Sequence, residues 1–307
     1  MSLYGMFAGK GASGFGYAST AEQVTEGVAL AGKTIVVTGC NSGLGLETMR
    51  VLAMRGAHVI GTARTETKAS EAGRSVGGKT TGVACELSDP RSVRAAVRTI
   101  AAKGLKIDAI IANAGIMALP TLETAFGYEL QFFTNHVGHF MLVTGLLDVL
   151  SDDARVVMVS SGAHHNAPAG AIQFDNLDGK KSYAPWTAYG QSKIANLLFA
   201  KELATKFAGT KKTANAIHPG VIKTNLGRHM NPVFRGILSV GPMIAMKSIP
   251  EGAATQCYVA VNPGAATITG EYWADCNVAK SRADGRDAAI AKQLWQRSEE
   301  IVAALPA

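Results

Sequence analysis

The chain has 307 residues, of which 47% are hydrophobic and 17% charged, and its formal net charge is +7. This is the composition of an ordinary globular protein with enough apolar residues for a full core. Neither a run of about 18 apolar residues nor an apolar leader is seen, so we expect a cytoplasmic protein without a membrane anchor. The basic residues are spread along the sequence without a basic block, which argues against a nucleic-acid partner.

Two glycine clusters match phosphate-binding patterns, "GKGASGFG" at 9–16 and "TGCNSGLG" at 38–45. No strand leads into the first cluster, so we interpret residues 1–30 as an N-terminal arm that ends in a short helix. The second cluster follows a β-branched run at 33–38 and precedes an amphipathic helix. With the strand predicted at 57–63, it forms a βαβ unit, and it is therefore the predicted phosphate site.

Strands and helices alternate along the rest of the chain. Further strands are predicted at 80–85, 107–112, 154–160, 213–218 and 269–274. Helices are predicted near 89–102, 122–150, 186–207, 251–261 and 286–304. This alternation predicts an α/β protein with a single Rossmann-type doubly wound domain, residues 31–307, built on a seven-stranded parallel sheet. A substrate lid is predicted after the sixth strand, at 225–250.

Cysteine and histidine spacing gives no sign of a metal site. The cysteines are Cys40, Cys85, Cys257 and Cys276. They form no C-x-x-C pair, which predicts reduced and mostly buried thiols rather than a disulfide framework or a zinc site. His164 and His165 are adjacent but have no third ligand, so no metal is expected.

Six short motifs occur in a characteristic order. They are T-G-x-x-x-G-x-G at 38–45, "ANAG" at 112–115, Asn135 in "NHVGHF", "VSSG" at 159–162, "YGQSK" at 189–193 and "HPG" at 218–220. In this order they resemble the short-chain dehydrogenase/reductase family across residues 31–305. The 28 positions from Ser161 to Tyr189 look most like the retinol dehydrogenase and WW-domain oxidoreductase branch. The resemblance implies a nicotinamide-dependent oxidoreductase.

Tyr189 and Lys193 stand four residues apart in a predicted helix, so they share one helix face. An ammonium beside a phenol favours the phenolate. Lys193 together with an oxidised nicotinamide ring should therefore lower the pKa of Tyr189 toward working pH. Tyr189 is the expected general acid or base, and by resemblance Lys193 also binds the nicotinamide ribose. Tyr183 has no lysine at this spacing and is expected to pack or to contact substrate.

Two adjacent serines compete for a role at the end of a predicted strand, where they must point to opposite faces. In the family that the chain resembles, the catalytic serine is the second of such a pair, so Ser161 is preferred over Ser160. Its hydroxyl would stabilise charge on the substrate oxygen. The resemblance also gives Asn135 the task of holding a water in the proton path, and the alternative is a buried amide at a backbone kink.

The resemblance assigns a large set of residues to the cofactor. They are Gly39, Asn41, Ser42, Gly43, Leu44, Gly45, Arg64, Glu86, Leu87, Asn113, Ala114, Gly115, Tyr189, Lys193, Pro219, Gly220, Val221, Ile222 and Thr224. At the end of the second strand, an arginine receives a 2′-phosphate and a carboxylate binds the ribose hydroxyls. Arg64 stands there and no carboxylate does, so NADP(H) is expected rather than NAD(H). Two departures from the family pattern, Ala112 and Glu86, affect details of cofactor contact.

The predicted lid at 225–250 is rich in methionine and aliphatic residues, and long loops of this kind often cover a substrate. A helix pair packed on its own core is the alternative. We therefore expect an NADP(H)-dependent alcohol dehydrogenase or carbonyl reductase for lipophilic alcohols or ketones, with a homo-oligomer left open. Alternatives are an enzyme like light-dependent protochlorophyllide reductase and a non-catalytic nicotinamide sensor. The complete set of Ser161, Tyr189 and Lys193 favours an enzyme.

Overall fold

The structure is a computed structural model that describes residues 9–222 and 246–306. Its helices are α1 Ala21–Val24, α2 Gly43–Met54, α3 Glu66–Val76, α4 Pro90–Ala101, α5 Leu130–Phe132, α6 Gly138–Gly145, α7 Pro185–Lys206, α8 Ile249–Val261 and α9 Ala288–Ala304. Its strands are β1 Thr34–Thr38, β2 His58–Ala63, β3 Thr80–Ala84, β4 Ile107–Ala112, β5 Thr124–Ala125, β6 Tyr128–Glu129, β7 Leu150–Val159, β8 Thr213–His218, β9 Tyr272–Ala274 and β10 Asn277–Val278.

Eight of the described strands form one sheet in the order β10-β9-β8-β7-β4-β1-β2-β3. All neighbouring pairs are parallel except β9 and β10, which are antiparallel. The doubly wound α/β fold predicted from the sequence is confirmed. The prediction of seven strands missed β10, whose two residues are too few to give a sequence pattern.

Helices cover both faces of the sheet because β1 and its neighbours are apolar on both sides. Every residue of β1 is buried. One core lies under α4, α6, α7 and α9 and includes Val93, Phe140, Leu198 and Leu294. The other lies under α1, α2, α3 and α8 and includes Val24, Leu52 and Val259. The carboxyl ends of β1, β4, β7 and β8 consequently meet at one edge of the sheet.

The helix predicted at 122–150 is shorter at both ends, and its second end lies at Gly145. It begins only at Leu130, because Thr124–Glu129 fold into the β5–β6 hairpin. Phe126 and Gly127 close that hairpin with φ values of 51° and 83°, the left-handed conformation of a tight two-residue turn. The helix is also interrupted by a π-helical turn at Phe133–Val137.

Other elements also differ from the sequence prediction, among them a missed helix and a shortened strand. Helix α3 was missed because it buries only the small residues Ala69, Ala72 and Gly73, which give no strong apolar period. The strand predicted at 269–274 is confined to Tyr272–Ala274. In both places, packing against neighbouring elements decides the structure rather than local sequence preference.

The first glycine cluster is not a strand, turn and helix. Lys10 and Gly16 form an isolated antiparallel bridge, and the turn between them docks on Asn277. Ser13 N–H donates to Asn277 Oδ1 at 3.0 Å, and Asn277 Nδ2 donates to the Phe15 carbonyl at 3.0 Å. The described part of the arm is thus bound to the β10 edge of the sheet.

Most of the predicted lid lies outside the described residues, as does Thr224. The residues on either side are adjacent: Lys247 N–H donates to the Val221 carbonyl at 2.8 Å. The Lys247 ammonium is buried and pairs with Asp275 at 2.6 Å. Within 9–222 and 246–306, every helix is too short or too polar to span a membrane.

Candidate active site

The turn between β1 and α2 is shaped to receive an anion. Gly39 and Gly43 have φ values of 69° and 56°, which favour glycine. A Cβ at Gly45 would overlap the Gly39 carbonyl oxygen, so the turn needs a glycine there. Helix α2 begins at Gly43, and its first N–H groups have no partner within the helix. These features fit the pyrophosphate of a dinucleotide.

The "ANAG" segment is fastened to this turn through Thr38. The Thr38 hydroxyl oxygen accepts hydrogen bonds from Asn113 N–H and Ala114 N–H, both at 2.9 Å. Asn113 Nδ2 donates to the Thr38 carbonyl at the same distance. A Cβ at Gly115 would lie 2.9 Å from Asn135 Oδ1, so the chain passes close to the π-helical turn. The ends of β1 and β4 therefore form one surface.

The two serines at the end of β7 point in different directions. Ser160 is buried, and its hydroxyl donates to the Lys193 carbonyl at 2.8 Å. Ser161 begins the 3-10 turn Gly162–Asn166, and its hydroxyl oxygen accepts from Ala163 N–H at 3.1 Å. The Ser161 hydroxyl also hydrogen-bonds Tyr189. The structure thus brings Ser161, and not Ser160, to the tyrosine.

Tyr189 and Lys193 lie on the same face of α7, with the Lys193 Nζ 5.6 Å from the centre of the tyrosine ring. Lys193 Nζ also donates to the Val159 carbonyl at 3.1 Å. Burial raises the pKa of Tyr189 to about 12, although the Ser161 hydrogen bond opposes this. Burial lowers the pKa of Lys193 to about 8. In the protein alone, desolvation therefore acts against the lowered tyrosine pKa expected from the sequence.

Asn135 lies in the π-helical turn and is fully buried. Its Oδ1 accepts from Ile116 N–H, and its Nδ2 donates to the Ile116 carbonyl and to Ser192 Oγ, each at 2.9 Å. The side chain therefore joins the segment after β4 to helix α7. These contacts fit the alternative of a buried amide at a kink, and the water-holding role stays a prediction.

Arg64 and Glu86 lie beyond β2 and β3, at the edge farthest from Tyr189 in strand order. Their closest charged atoms, Arg64 Nε and Glu86 Oε2, are 3.7 Å apart, and the arginine side chain is 69% exposed. Glu86 Oε1 accepts from the Ser88 N–H and hydroxyl. The guanidinium is thus accessible to a 2′-phosphate. The Glu86 carboxylate lies beside it and would repel a phosphate bound there.

The "HPG" segment after β8 is linked to the serine turn by His218, which the sequence reading did not single out. Gly162 N–H donates to His218 Nδ1 at 3.0 Å, and Gly220 N–H does so at 3.4 Å. Burial lowers the pKa of His218 to about 4, so the ring is neutral and Nδ1 remains an acceptor. Pro219, Gly220, Val221 and Ile222 follow at the same edge of the sheet as Ser161.

His164 supports the same serine turn from another side. Its Nδ1 lies 2.7 Å from the Ser161 carbonyl, and its Nε2 accepts from Arg282 N–H at 3.3 Å. The rings of His164 and His165 are 4.0 Å apart. No group of three or more metal-binding side chains occurs in the part of the chain that the structure describes. The adjacent histidines thus have a structural contact that the sequence did not predict.

Two aromatic residues precede Tyr189 on the same stretch of chain. The Tyr183 hydroxyl donates to the Leu119 carbonyl at 2.6 Å and accepts from Gln131 Nε2 at 3.2 Å, so it is engaged in packing. Trp186 lies one helical turn before Tyr189, and the two rings meet edge to face with centroids 6.1 Å apart. Trp186 therefore borders the tyrosine.

A doubly wound sheet, an anion-binding glycine turn after β1, and Ser161 after β7 beside the buried Tyr189 and Lys193 of α7 together define a dinucleotide-binding oxidoreductase. The family profile described as short chain dehydrogenase matches residues 33–233, and the chain belongs to this family. Membership implies a nicotinamide cofactor, and the resemblance seen in the motifs is confirmed.

Individual relatives extend over nearly the whole chain. It is 40% identical to short-chain dehydrogenase TIC 32 A, chloroplastic, of Brassica napus, over 100% of both chains. It is 36% identical to human retinol dehydrogenase 14, over 89% of this chain and 87% of the relative. Among solved structures, an uncharacterized protein of Mycobacterium paratuberculosis superposes with a TM-score of 0.74 at 33% identity, covering 91% of this chain and 97% of the other.

The expectation of a cytoplasmic protein is wrong. A relative that matches the chain from end to end is named as chloroplastic. The absence of apolar segments is the basis of that expectation, whereas organelle-targeting segments are amphipathic and rich in serine rather than apolar. Lack of an apolar run therefore does not identify a compartment.

Proposed function

We propose that the protein is an NADP(H)-dependent oxidoreductase that interconverts a lipophilic alcohol and its carbonyl compound, with Tyr189 as the general acid and base. The observation that carries the proposal is the arrangement around this tyrosine. Its buried hydroxyl bonds Ser161, and the Lys193 ammonium lies 5.6 Å from its ring. These three groups lie at the sheet edge where doubly wound folds bind their ligands.

In the direction of carbonyl reduction, Tyr189 gives its proton to the substrate oxygen. A phenol whose pKa is about 12 is protonated at neutral pH, so the acid form is present before reaction. The nicotinamide cofactor, when bound, would supply the hydride to the substrate carbon or accept it from there. The Lys193 ammonium stabilises the phenolate that remains on Tyr189, which offsets the cost of charging a buried phenol.

Ser161 orients the substrate oxygen. One lone pair of its hydroxyl is occupied by Ala163 N–H, so the hydroxyl proton is directed away from its own turn. It donates to the substrate oxygen as negative charge develops, which is the task of an oxyanion-hole donor. His164 and His218 hold the peptide group that joins Ser161 to Gly162, His164 through the Ser161 carbonyl and His218 through the Gly162 N–H.

The choice of NADP(H) rests on Arg64. The guanidinium is 69% exposed and follows β2, where a 2′-phosphate is bound in folds of this type. The glycine turn at Gly39–Gly45 would hold the pyrophosphate. Pro219, Gly220, Val221 and Ile222 would hold the nicotinamide end. Asn135 is proposed to support the proton path through its contacts with Ile116 and Ser192.

The lipophilic substrate class is supported by relatives and by Trp186. A relative 36% identical to the chain is a retinol dehydrogenase, and retinol is an apolar alcohol. Trp186 meets the Tyr189 ring edge to face, so a substrate at the tyrosine has an aromatic surface beside it. The apolar composition of residues 225–250 agrees with such a substrate.

The direct test is Tyr189→Phe, which keeps the ring and removes the proton. We expect NADPH binding to be retained and turnover to fall at least about a hundredfold, the usual scale for a general acid or base. Tyr183→Phe is the matched control, because the Tyr183 hydroxyl is used in packing on Leu119. Substrates are screened among retinoids, steroids, long-chain alcohols, sugars and small hydroxy acids with both cofactors.

Three outcomes would contradict the proposal in whole or in part. Near-normal turnover in Tyr189→Phe would remove the acid/base assignment. A wild-type protein that binds NADPH and turns over no alcohol or carbonyl would instead be a nicotinamide sensor. If the best substrate is a small polar molecule, the lipophilic class is wrong while the hydride-transfer assignment survives.

A further inference from the structure

A series of hydrogen bonds, linked through the main chain and side chain of Asn135, joins the cofactor turn to the tyrosine helix. Thr38 Oγ1 is 2.9 Å from His139 Nε2, and His139 Nδ1 is 2.9 Å from the Asn135 carbonyl. Asn135 Nδ2 donates to Ser192 Oγ at 2.9 Å, and Ser192 Oγ donates to the Tyr189 carbonyl at 2.8 Å. The series begins at the glycine turn and ends on the residue proposed to transfer the proton.

The direction of each bond follows from the partners. The Thr38 hydroxyl oxygen already accepts from two backbone N–H groups, so its own proton points to His139 Nε2. A neutral histidine that accepts at Nε2 carries its proton on Nδ1. His139 Nδ1–H therefore donates to the Asn135 carbonyl. Only this tautomer satisfies both neighbours at once.

All four linking side chains, Thr38, His139, Asn135 and Ser192, are inaccessible to solvent. Water is therefore not at hand to replace a lost partner, and a buried polar group left unpaired is costly. Burial also lowers the pKa of His139 to about 4, which keeps the ring neutral and preserves the acceptor at Nε2.

We propose that His139 is a positioning residue that couples the cofactor turn at Thr38 to the Tyr189 turn of α7. Its Nε2 fixes the Thr38 hydroxyl that holds the "ANAG" segment, and its Nδ1–H fixes the Asn135 carbonyl in the π-helical turn. The first contact serves cofactor binding and the second serves the chemical step. This role rests on the proposed function, since it assumes that Tyr189 is the proton donor.

Two substitutions separate the contacts of His139. In His139→Gln, the side-chain amide reaches the Nε2 position and keeps a partner for Thr38, while the donor to Asn135 is lost. In His139→Asn, the amide lies at the Nδ1 position and keeps the donor to Asn135, while the acceptor for Thr38 is lost. His136→Asn is the matched control, because His136 lies three residues before His139 and is also buried but bonds Ser298 on α9 instead.

The readouts are the Kd for NADPH, from its fluorescence, and kcat at saturating NADPH with the best substrate of the screen. We expect His139→Gln to lower kcat about five- to tenfold with Kd changed less than about twofold, the effect of one lost buried hydrogen bond. His139→Asn should raise the Kd for NADPH about five- to tenfold and change kcat less than about twofold. The control should lose stability and change neither value beyond about twofold. Equal changes of Kd and kcat in both His139 variants, or changes no larger than the control, would overturn the proposal.

Ser192→Ala removes the hydrogen bonds at the Tyr189 end of the series. It tests the link to Tyr189 if the His139 variants do not fold. It should lower kcat and leave the NADPH Kd unchanged, whereas an unchanged kcat would show that the series does not act on Tyr189. A wild-type protein without turnover contradicts the proposed function alone. In that case, the Kd of His139→Asn against that of His139→Gln still decides whether Thr38 depends on His139.

Discussion

The two ends of the candidate site are built differently. Around Tyr189, Lys193, Ser192 and Asn135 are buried, and several hydrogen bonds from β7, α7 and the π-helical turn fix these surroundings. At Arg64, the side chain is 69% exposed, and the one ion pair found there is a 3.7 Å contact with Glu86. Exposed pairs of this length contribute little to stability.

The difference shows which property of the site is constrained and which is adjustable. A change at Tyr189 or Lys193 disturbs a network with no solvent to replace lost bonds, so it should affect chemistry strongly. A change at Arg64 leaves the fold untouched and should affect only the cofactor that is chosen. If the proposed function holds, hydride transfer depends on buried residues, and cofactor preference depends on one exposed arginine.

The largest effect should come from the buried end, at Lys193. Lys193→Ala should lower turnover at least about a hundredfold, since the phenolate on Tyr189 loses its stabilising charge. Burial lowers the pKa of Lys193 to about 8. Carbonyl reduction, which requires the ammonium, should therefore be fastest below pH 8 and fall as pH rises through that value.

Lys193→Arg sharpens this prediction because a guanidinium stays charged at every pH used. This variant should retain part of the activity, and its activity should decrease at a higher pH than that of wild type. Lys201→Ala on the same helix is the control and should leave the pH profile unchanged. Kcat/KM measured from pH 6 to 10 checks both variants, and an alkaline fall at the same pH in wild type and Lys193→Arg would contradict the assignment.

The same contrast explains what the sequence predicts well. The glycine turn and the Tyr189–Lys193 pair depend on residues close together in the chain, so spacing alone places them on a turn and on one helix face. The β5–β6 hairpin and the π-helical turn depend on packing, and the sequence predicts a continuous helix there. The partner of His139 is Thr38, 101 positions away, and no local pattern in "NHVGHF" indicates it.

At the exposed end, Arg64→Ala tests the cofactor choice. Loss of one charge-assisted contact to the 2′-phosphate should raise the Kd for NADPH about ten- to a hundredfold and leave that for NADH nearly unchanged. Arg91→Ala is a close control, because Arg91 is 72% exposed and lies 3.7 Å from Asp89. Equal weakening of both cofactors by Arg64→Ala would show that this arginine does not bind the phosphate.

Between the two ends, Trp186 tests the substrate class. Trp186→Ala removes the ring that meets Tyr189 edge to face, so the KM for a bulky apolar alcohol should rise about tenfold, the effect of losing a large buried apolar contact. The KM for a small alcohol should change little. Trp295→Phe, in the core between α7 and α9, is the control. Equal changes for large and small substrates would place Trp186 outside the substrate site.

The smallest effect at neutral pH should come from His136, which lies next to Asn135 but outside the hydrogen-bond chain. Burial lowers its pKa from 6.5 to about 3, with a further contribution from His139. The unfolded chain therefore binds a proton that the folded chain does not, and stability is full above pH 6.5 and is lost as pH falls toward 3. One such group gives a slope of about 1.4 kcal/mol per pH unit in this window.

Urea unfolding of wild type and His136→Gln from pH 7 to 5 measures this slope. The variant should be less stable at pH 7, and its free energy of unfolding should decrease less steeply as the pH is lowered. Parallel curves would mean that His136 is not the group that titrates, and that the buried π-helical turn does not set the acid limit of the fold.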